Sequence, residues 1–452
     1  ATGGTYVVMA AGVVGNTGAT AFNLFINGAA REASNNGTDV DVAVFHGSPD
    51  APAVDADAVF VANNVVSNLS FGEYTGYLSL PAAKYDLALQ PAGTNTTVAS
   101  FRADLSGLAG GAATVFASGY LGSTPSFGLF AALPNGTVVA LPLTPTARVQ
   151  IIHNSPDPSV DVYVGNTLLL NDFAFRTATP FIDVPADRDL NLGIALPNST
   201  SAADAIANFP ATLATGGTYV VMAAGVVGNT GATAFNLFIN GAAREAANNG
   251  TDVDITLFHG SPDAPVVDVK LPGGPILFDN VAFGSYANYF SAPAGNYILD
   301  VTPANDNNTV VVSYKADITA LAGQAITAFA TGYLNGQSPA FGVWVALPNG
   351  VTVPLEVVVS TRELDQIFTS FSVQPNPAVQ SVQVKFELPR STEVTYRLLD
   401  ATGRTTLVGN LGEVPAGEFQ ETIQLTDINS GVYYLQIMGG QGVKTTKLMV
   451  SK

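Results

Sequence analysis

The chain has 452 residues, of which 47% are hydrophobic and only 12% are charged. Its 17 Lys and Arg stand against 35 Asp and Glu, a formal net charge of -18, which argues against the clustered basic surface that nucleic acid requires. Cysteine is absent, so disulfides and thiolate chemistry are excluded. No apolar run reaches the roughly eighteen residues of a membrane-spanning helix, and the sequence predicts no transmembrane segment.

The strongest internal pattern is a repeat at an offset of 213 residues, because residues 1–52 match residues 214–265 at all but four positions. The four differences are Ser34/Ala247, Val42/Ile255, Ala43/Thr256 and Val44/Leu257. A weaker copy lies between them, so that His46, His153 and His259 are 107 and 106 residues apart. We therefore predict a repeating unit of about 107 residues, in alternating A and B types.

The units read as strands in chain order, because short apolar runs are joined by Gly, Pro and Asn-Gly turns and no stretch keeps a helical period. The predicted fold class is all-β: a tandem array of β-sandwich domains followed by a small C-terminal β-sandwich. The predicted domains are 1–37 (the closing part of an incomplete A repeat), 38–143 (B), 147–250 (A), 251–356 (B) and 367–452 (a different module).

Residues 1–37 match only the closing part of an A repeat, whose opening part corresponds to residues 147–213. A β-sandwich divided at this point exposes unpaired strand edges. Our hypothesis is that the chain is the C-terminal portion of a longer array, or that another chain supplies the remaining strands. We therefore expect self-association or packing against neighbouring repeats.

A histidine-serine-aspartate motif opens each complete repeat, as HGSPDAPAVD from His46, HNSPDPSVD from His153 and HGSPDAPVVD from His259. Each histidine continues the apolar row of the preceding strand, as Val40, Val42 and Val44 do before His46, so we expect it to be buried. The following Ser-Pro-Asp turn offers it hydrogen-bond partners. We predict a structural corner formed by His46, Ser48, Asp50, Asp55, His153, Ser155, Asp157, Asp161, His259, Ser261, Asp263 and Asp268.

Catalysis and metal binding are the alternative interpretations of this motif. A catalytic triad needs the imidazole between nucleophile and acid, and a serine two residues after the histidine is badly placed for that. We therefore predict no catalytic residue and no enzymatic activity. We predict no cofactor, with calcium as the alternative, because Asp50, Asp55 and Asp57 supply oxygen ligands that calcium accepts. Asp39 and Asp41 have outward parity, which predicts a solvated face.

The last 86 residues differ from the array, because 367–452 hold seven basic and seven acidic residues whereas 1–366 hold ten and twenty-eight. Val382, Val384, Phe386 and Leu388 alternate with polar residues, which predicts half-buried strands. The segments QPNP, LLDATGR, LTDINSGVYYLQI and KTTKLMVSK follow in that order. Their motif residues are Pro375, Asn376, Pro377, Asp400, Gly403, Ser430, Gly431, Tyr433 and Lys447.

These four segments resemble the type A C-terminal sorting domain of the type IX secretion system. The resemblance implies recognition by the type IX machinery and a location outside the cell or on the outer-membrane surface of a Gram-negative bacterium. The repeats resemble, through H-x-S-P-D-x-[PS]-x-V-D, the domain-of-unknown-function family 4397 of secreted and surface proteins, which brings no established activity.

The predicted function is a secreted or cell-surface structural repeat protein that forms part of an extracellular stalk, fibre or adhesive appendage. The alternative is a surface protein that binds a glycan or calcium through several copies of one module.

Overall fold

A computed structural model describes residues 4–358, 368, 370–400, 405–439 and 442–452, without the side chains of 442 and 443. Within these residues the helical elements are single turns of 3-10 helix at Gly18–Thr20, Ala202–Asp204 and Gly231–Thr233, and all other elements are strands. The chain separates into two compact units, Ala1–Glu356 and Val357–Lys452. The predicted all-β class is confirmed.

The first unit begins with a two-stranded antiparallel sheet of β1 (Val7–Ala11) and β2 (Asn23–Asn27). A first complete repeat follows, with β3 (Asp39–His46), β4 (Val54–Ala58), β5 (Ala62–Leu69), β6 (Leu78–Pro81), β7 (Lys84–Pro91), β8 (Ala99–Asp104), β9 (Ala112–Ser118), β10 (Gly128–Ala132) and β11 (Val138–Ala140). These strands form one sheet in the order β11-β10-β9-β3-β6 and another in the order β5-β4-β7-β8.

The second repeat comprises β12 (Thr146–Asn154), β13 (Val160–Val164), β14 (Thr167–Phe173), β15 (Ile182–Pro185), β16 (Asp189–Ala195), β17 (Ala207–Thr212), β18 (Thr218–Ala224) and β19 (Asn236–Asn240). Its two sheets have the orders β15-β12-β18-β19 and β14-β13-β16-β17. This A repeat therefore has four strands in each sheet.

The third repeat comprises β20 (Asp252–His259), β21 (Val267–Lys270), β22 (Ile276–Val281), β23 (Phe290–Pro293), β24 (Asn296–Pro303), β25 (Val312–Asp317), β26 (Ala325–Thr331), β27 (Gly342–Ala346), β28 (Thr352–Pro354) and β29 (Glu356–Val357). Its sheets have the orders β23-β20-β26-β27-β28 and β22-β21-β24-β25-β29. The strand that carries the motif histidine at or next to its end is here called the corner strand. In all three repeats it pairs in parallel with a later strand: β3 with β9, β12 with β18 and β20 with β26.

The corner strand is buried on both faces, whereas the sequence pattern predicted burial on one. In β20, Val253 and Leu257 enter the core between the two sheets of their own repeat. Phe258, which is 0% exposed, points the other way and packs against Met222 of the A repeat. The cluster between these repeats includes Ile152, Phe181, Val220, Met222, Phe258 and Phe329. The A and B repeats therefore share a hydrophobic interface instead of being independent domains.

The short sheet of β1 and β2 packs on the first B repeat in the same way. The rings of Phe25 and Phe45 lie 5.6 Å apart, and the equivalent rings of Phe238 and Phe258 lie 5.5 Å apart. The interface between an A-type closing part and the following B repeat therefore occurs twice in the array.

The expectation of a solvated face at Asp41 is wrong, because this side chain is fully buried under residues that precede the repeat. It accepts hydrogen bonds from Arg31 at 2.5 Å, from Ser34 at 2.9 Å and from Ser79 at 2.5 Å. Burial raises the pKa of Asp41, but the hydrogen bonds, led by that from Ser79, outweigh it and lower the pKa to about 2. Asp254 repeats the arrangement with Arg244 at 2.6 Å.

A different contact joins the first B repeat to the A repeat. The buried carboxylate of Asp86 accepts from Arg102 Nε at 2.8 Å, within its own repeat, and from Arg188 Nη1 at 2.9 Å, across the junction. A buried charge is stable only when it is paired, so the second arginine fixes how these two repeats meet.

The second unit is a small sandwich of β30 (Ser370–Gln374), β31 (Ser381–Leu388), β32 (Thr392–Asp400), β33 (Thr405–Val414), β34 (Gly417–Gln424), β35 (Gly431–Gly439) and β36 (Gly442–Val450). Its sheets have the orders β30-β31-β34 and β33-β32-β35-β36. The predicted alternation in β31 is confirmed, since Val382, Val384, Phe386 and Leu388 are at most 1% exposed.

Truncation of Phe329 to alanine tests the interface between the A repeat and the second B repeat. Phe329 is 0% exposed there, so Phe329→Ala leaves a cavity and should lower the free energy of unfolding by about 3–5 kcal/mol. Phe116 holds the equivalent position in the first B repeat but is only partly buried. We expect a smaller loss for Phe116→Ala in guanidinium unfolding followed by circular dichroism, and equal losses would contradict the assignment.

Candidate functional site

The three motif histidines occupy the same buried position in their repeats, with at most 1% exposure. The ring nitrogen Nε2 lies 3.0 Å from the carbonyl oxygen of Pro52 for His46, 3.1 Å from that of Pro158 for His153 and 2.9 Å from that of Pro265 for His259. A carbonyl only accepts, so Nε2 carries a proton in each ring. In His153 the other nitrogen, Nδ1, accepts the Ser155 amide at 3.3 Å, so this imidazole is neutral. Each histidine thus ties the end of the corner strand to the far side of the Ser-Pro-Asp turn.

The motif serines hold a second strand to the corner. Their hydroxyls donate to glycine carbonyls at 2.7 Å, from Ser48 to Gly119, Ser155 to Gly225 and Ser261 to Gly332. These glycines follow the parallel partner strand and have positive φ angles of 85°, 92° and 75°. A Cβ at Gly119 would lie 2.3 Å from the carbonyl oxygen of Ser126, so only glycine fits. Sequence reasoning missed these glycines, although one closes the apolar run in each repeat.

The first motif aspartate fixes the loop beyond that glycine. Asp50 accepts the Leu121 amide at 3.0 Å, and Asp263 accepts the amides of Leu334 at 2.8 Å and Asn335 at 2.9 Å. Burial raises the pKa of Asp263, but these amides more than offset that effect and the pKa is lowered. Asp157 of the A repeat instead lies exposed.

The second motif aspartate supports a bulge in the neighbouring strand. Asp55, Asp161 and Asp268 accept the amides of Asn68 at 2.6 Å, Asp172 at 2.8 Å and Asn280 at 2.6 Å. The three donors have positive φ angles of 48°, 50° and 53°, in strands whose register shifts there. The hydrogen bonds from Asn68 and Gly93 lower the pKa of Asp55. These carboxylates therefore stabilise unfavourable backbone conformations.

The structure does not bring Asp50, Asp55 and Asp57 into one calcium site. Asp57 accepts the Asn64 amide and the Gln90 side chain, each at 2.6 Å, so the three carboxylates have separate sets of donors. Across the described residues, no three or more histidine or carboxylate side chains are grouped to hold a metal ion. The predicted three-aspartate site is therefore not assembled.

The corner geometry provides no activated nucleophile. The Ser48 hydroxyl donates to a glycine carbonyl, and His46 Nε2 donates to a proline carbonyl, so neither group is directed at the other. Burial lowers the pKa of His153 to about 4 and also lowers that of His259. Chemically, the arrangement joins strands and does not abstract a proton from serine.

The motif residues of the second unit gather around the last strand. Asn376, between Pro375 and Pro377, donates from its side-chain amide to the Lys447 carbonyl at 2.8 Å and accepts the Met449 amide at 2.9 Å. Ser430 accepts the Lys452 amide at 3.0 Å, just before Gly431 opens β35. Asp400 and Tyr433 are opposite each other in β32 and β35. Gly403 lies outside the described residues.

Family models match both units. The model of a domain of unknown function, DUF4397, matches residues 40–137, 147–250 and 253–346, more than half of the chain. The chain belongs to the DUF4397 family. The secretion system C-terminal sorting domain matches residues 372–451, which marks the chain for type IX export to the cell surface or extracellular space of a Gram-negative bacterium. Among the described residues, no helix is long and apolar enough to cross a bilayer.

No curated protein matches the chain significantly. Solved structures with some similarity include the Bacillus anthracis TIE protein, at 9% identity and a TM-score of 0.14, over 100% of this chain and 73% of that one. PorZ, a surface component of the type IX secretion system of Porphyromonas gingivalis, aligns at 9% identity and a TM-score of 0.15, over 83% and 69%. Escherichia coli alpha-2-macroglobulin aligns at 10% identity and a TM-score of 0.16, over 99% and 42%. Such low TM-scores carry no argument about this DUF4397 chain.

The buried His153 predicts a loss of stability in mild acid. As the pH falls through 6.5 the unfolded chain gains a proton on this histidine, whereas the folded chain gains it only near pH 4. Its contribution to stability should therefore be complete above pH 6.5 and decline between pH 6.5 and about 4. In thermal melts, His153→Gln should show a smaller decline over this interval than the unmodified chain.

Asp41→Asn is the control for that experiment, because the lowered pKa of Asp41 affects stability over a different pH range. The depressed pKa of Asp41 contributes stability above the ordinary value of 3.8, which is lost as the pH falls towards about 2. Asp41→Asn should leave the decline between pH 6.5 and 4 unchanged. The same decline in His153→Gln as in the unmodified chain would contradict the assignment to His153.

Removal of calcium should leave the array unchanged, because the corner carboxylates already accept hydrogen bonds from protein amides. We expect the same thermal midpoint with EDTA and with millimolar calcium, measured on the full chain by differential scanning calorimetry. An increase in the midpoint with calcium, but not with magnesium, would show that the folded array binds calcium and would contradict this prediction.

Proposed function

We propose that this protein is a structural component of the bacterial surface, as part of an extracellular stalk, fibre or adhesive appendage. Its sorting domain supports this role by directing export, and its DUF4397 array supplies a tandem series of β-sandwiches. The corner motif, which recurs in every complete repeat with its donors committed to backbone groups, favours a non-catalytic scaffold.

The observation that carries the proposal is the way consecutive repeats are joined. The A repeat and the second B repeat share a cluster that includes Met222, Phe258 and Phe329, all 0% exposed. The first B repeat holds the A repeat through the buried Asp86–Arg188 ion pair. Rotation of one repeat against the next would expose apolar surface or leave a carboxylate unpaired. Such junctions suit a protein that must keep its repeats in fixed relation.

The excess of acidic over basic residues in the array also fits a role outside the cell. The array holds ten basic and twenty-eight acidic residues before residue 367, so its net charge is strongly negative. Like charges on neighbouring copies repel and oppose nonspecific aggregation. Ordered assembly then has to come from specific contacts.

Imaging of native material tests the proposed role. Immunogold electron microscopy of the producing bacterium should show label along extended surface structures, which are lost when the gene is deleted. A chain lacking residues 367–452 should fail to reach the surface, which separates the address from the structural role. Label confined to isolated monomeric particles would contradict the appendage. Specific binding of a glycan by such particles would favour the multivalent binding module.

A further inference from the structure

The cavity between the two sheets of the A repeat is larger than the cavities of the B repeats. Its volume is about 250 Å³, against about 70 Å³ in the first B repeat and about 140 Å³ in the second. Among the described residues that line it, Asn236 is the one polar residue, and the apolar ones include Leu169, Leu192, Phe209 and Ile239. An apolar cavity of about 150 Å³ stays dry and binds small apolar molecules such as benzene. The A repeat therefore has room for an apolar ligand.

In each B repeat a closing segment, residues 138–144 or 352–357, covers one side of the sandwich. The segment pairs with the edge of the first sheet through β11 or β28 and then reaches the edge of the second sheet. In the first B repeat the Arg102 amide of β8 donates to the carbonyl of Pro142 in this segment at 2.8 Å. A leucine of each closing segment, Leu141 or Leu355, packs against the core. The B sandwiches are therefore closed on this side.

The A repeat has no closing segment on the same side. After β19 the chain passes to the second B repeat, where Ala246 forms a bridge with Gln324. Among the described residues β19 pairs with β18 alone, and β17 pairs with β16 alone. The inward-facing Ile239 of β19 is 46% exposed, whereas its equivalents Ala131 and Val345 in the B repeats are each 7% exposed. The cavity of the A repeat therefore has an entrance between β17 and β19.

The two edges of this entrance are poorly suited to an added strand. Pro210 of β17 holds the position of Arg102 and has no amide to donate. On β19 the Leu237 amide already donates to the side-chain oxygen of Asn236 at 2.9 Å. Its equivalent in the first B repeat, Leu129, holds the closing segment through its backbone carbonyl. Because one edge amide is absent and the other is bonded, the entrance fits a ligand that needs no backbone hydrogen bonds.

We propose that the A repeat binds an uncharged alkyl chain in this cavity, through the entrance between β17 and β19. The alkyl chain would lie where Leu355 packs in the second B repeat, and it would remove apolar surface of Phe209 and Ile239 from water. No cationic side chain is among the described residues that line the cavity, so a carboxylate would find no partner there. Binding of an apolar molecule goes beyond the proposed surface role and does not depend on it.

Titration of the full chain with 1-octanol tests the proposal, followed by displacement of the uncharged fluorophore N-phenyl-1-naphthylamine. We expect saturable binding at one site per chain, with octanoate binding more weakly than 1-octanol. Ala211→Phe should weaken binding about tenfold or more, because Ala211 lines the cavity and the added ring would fill the entrance. Thr212→Phe is the matched control, since Thr212 faces the other side of β17, and it should leave binding unchanged.

A free alkyl molecule and a membrane lipid present the same chemistry to this cavity, and sedimentation with phosphatidylcholine vesicles distinguishes them. Sedimentation of the protein with the vesicles, reduced by Ala211→Phe and not by Thr212→Phe, would assign a lipid as the source of the alkyl chain. Binding of 1-octanol without sedimentation would assign a free molecule. Both outcomes support the proposal.

Amide hydrogen exchange of the unmodified chain locates the site even if Ala211→Phe fails to fold. Saturating 1-octanol should slow exchange in β17 and β19 and leave the equivalent strands β8 and β10 unchanged. Absence of saturable binding, slower exchange only in β8 and β10, or binding that a folded Ala211→Phe does not affect would overturn the proposal. So would a dimer of the unmodified chain that Ala211→Phe dissociates, since a second copy would then cover the entrance.

Discussion

Burial of the corner strand on both faces is the constraint on which the rest of the array depends. The strand lies inside the first sheet of its repeat, where one face forms the sandwich core and the other contacts the next sheet. Phe258 and Phe329 are 0% exposed only because an A repeat covers them. Since a sheet with two apolar faces needs cover on both, the A repeat supplies the outer cover of the second B repeat. Burial of this kind couples the stability of the second B repeat to that of the A repeat.

The corner motif supplies hydrogen-bond partners to backbone groups that this burial removes from water. At the end of a strand in a dry environment, backbone groups lose water and need other partners. The histidine donates from Nε2 to a backbone carbonyl, the serine donates to the glycine that follows the parallel strand, and the aspartates accept amides in loops and bulges. A charged imidazole would be costly at the buried position of His153, whose pKa is lowered by burial. The recurrence of the motif in each repeat follows from the recurrence of the strand end.

The carboxylates that are buried at the junctions between repeats also have partners. Asp41 and Asp254 are buried where an A-type closing part meets a B repeat, and each is paired with an arginine from that closing part. Asp86 is paired across the opposite junction. Because a buried carboxylate without its partner is strongly unfavourable, these pairs select which neighbour fits.

Much of this could be read from the amino-acid sequence. The repeat period, the all-β class, the alternation in β31 and the sorting segments depend on local pattern, and local pattern specifies which side of a strand is apolar. The inward row Val40, Val42 and His46 is visible in the sequence for the same reason. The sequence could not specify what the side chains on the opposite side of this strand contact. Asp41 looks solvent-exposed in a strand considered alone, and its burial results from Arg31, Ser34 and Ser79 meeting it from three separate segments. The tertiary structure also separated Asp50, Asp55 and Asp57, because proximity in sequence does not direct three carboxylates to one point when each finds its own amide donors.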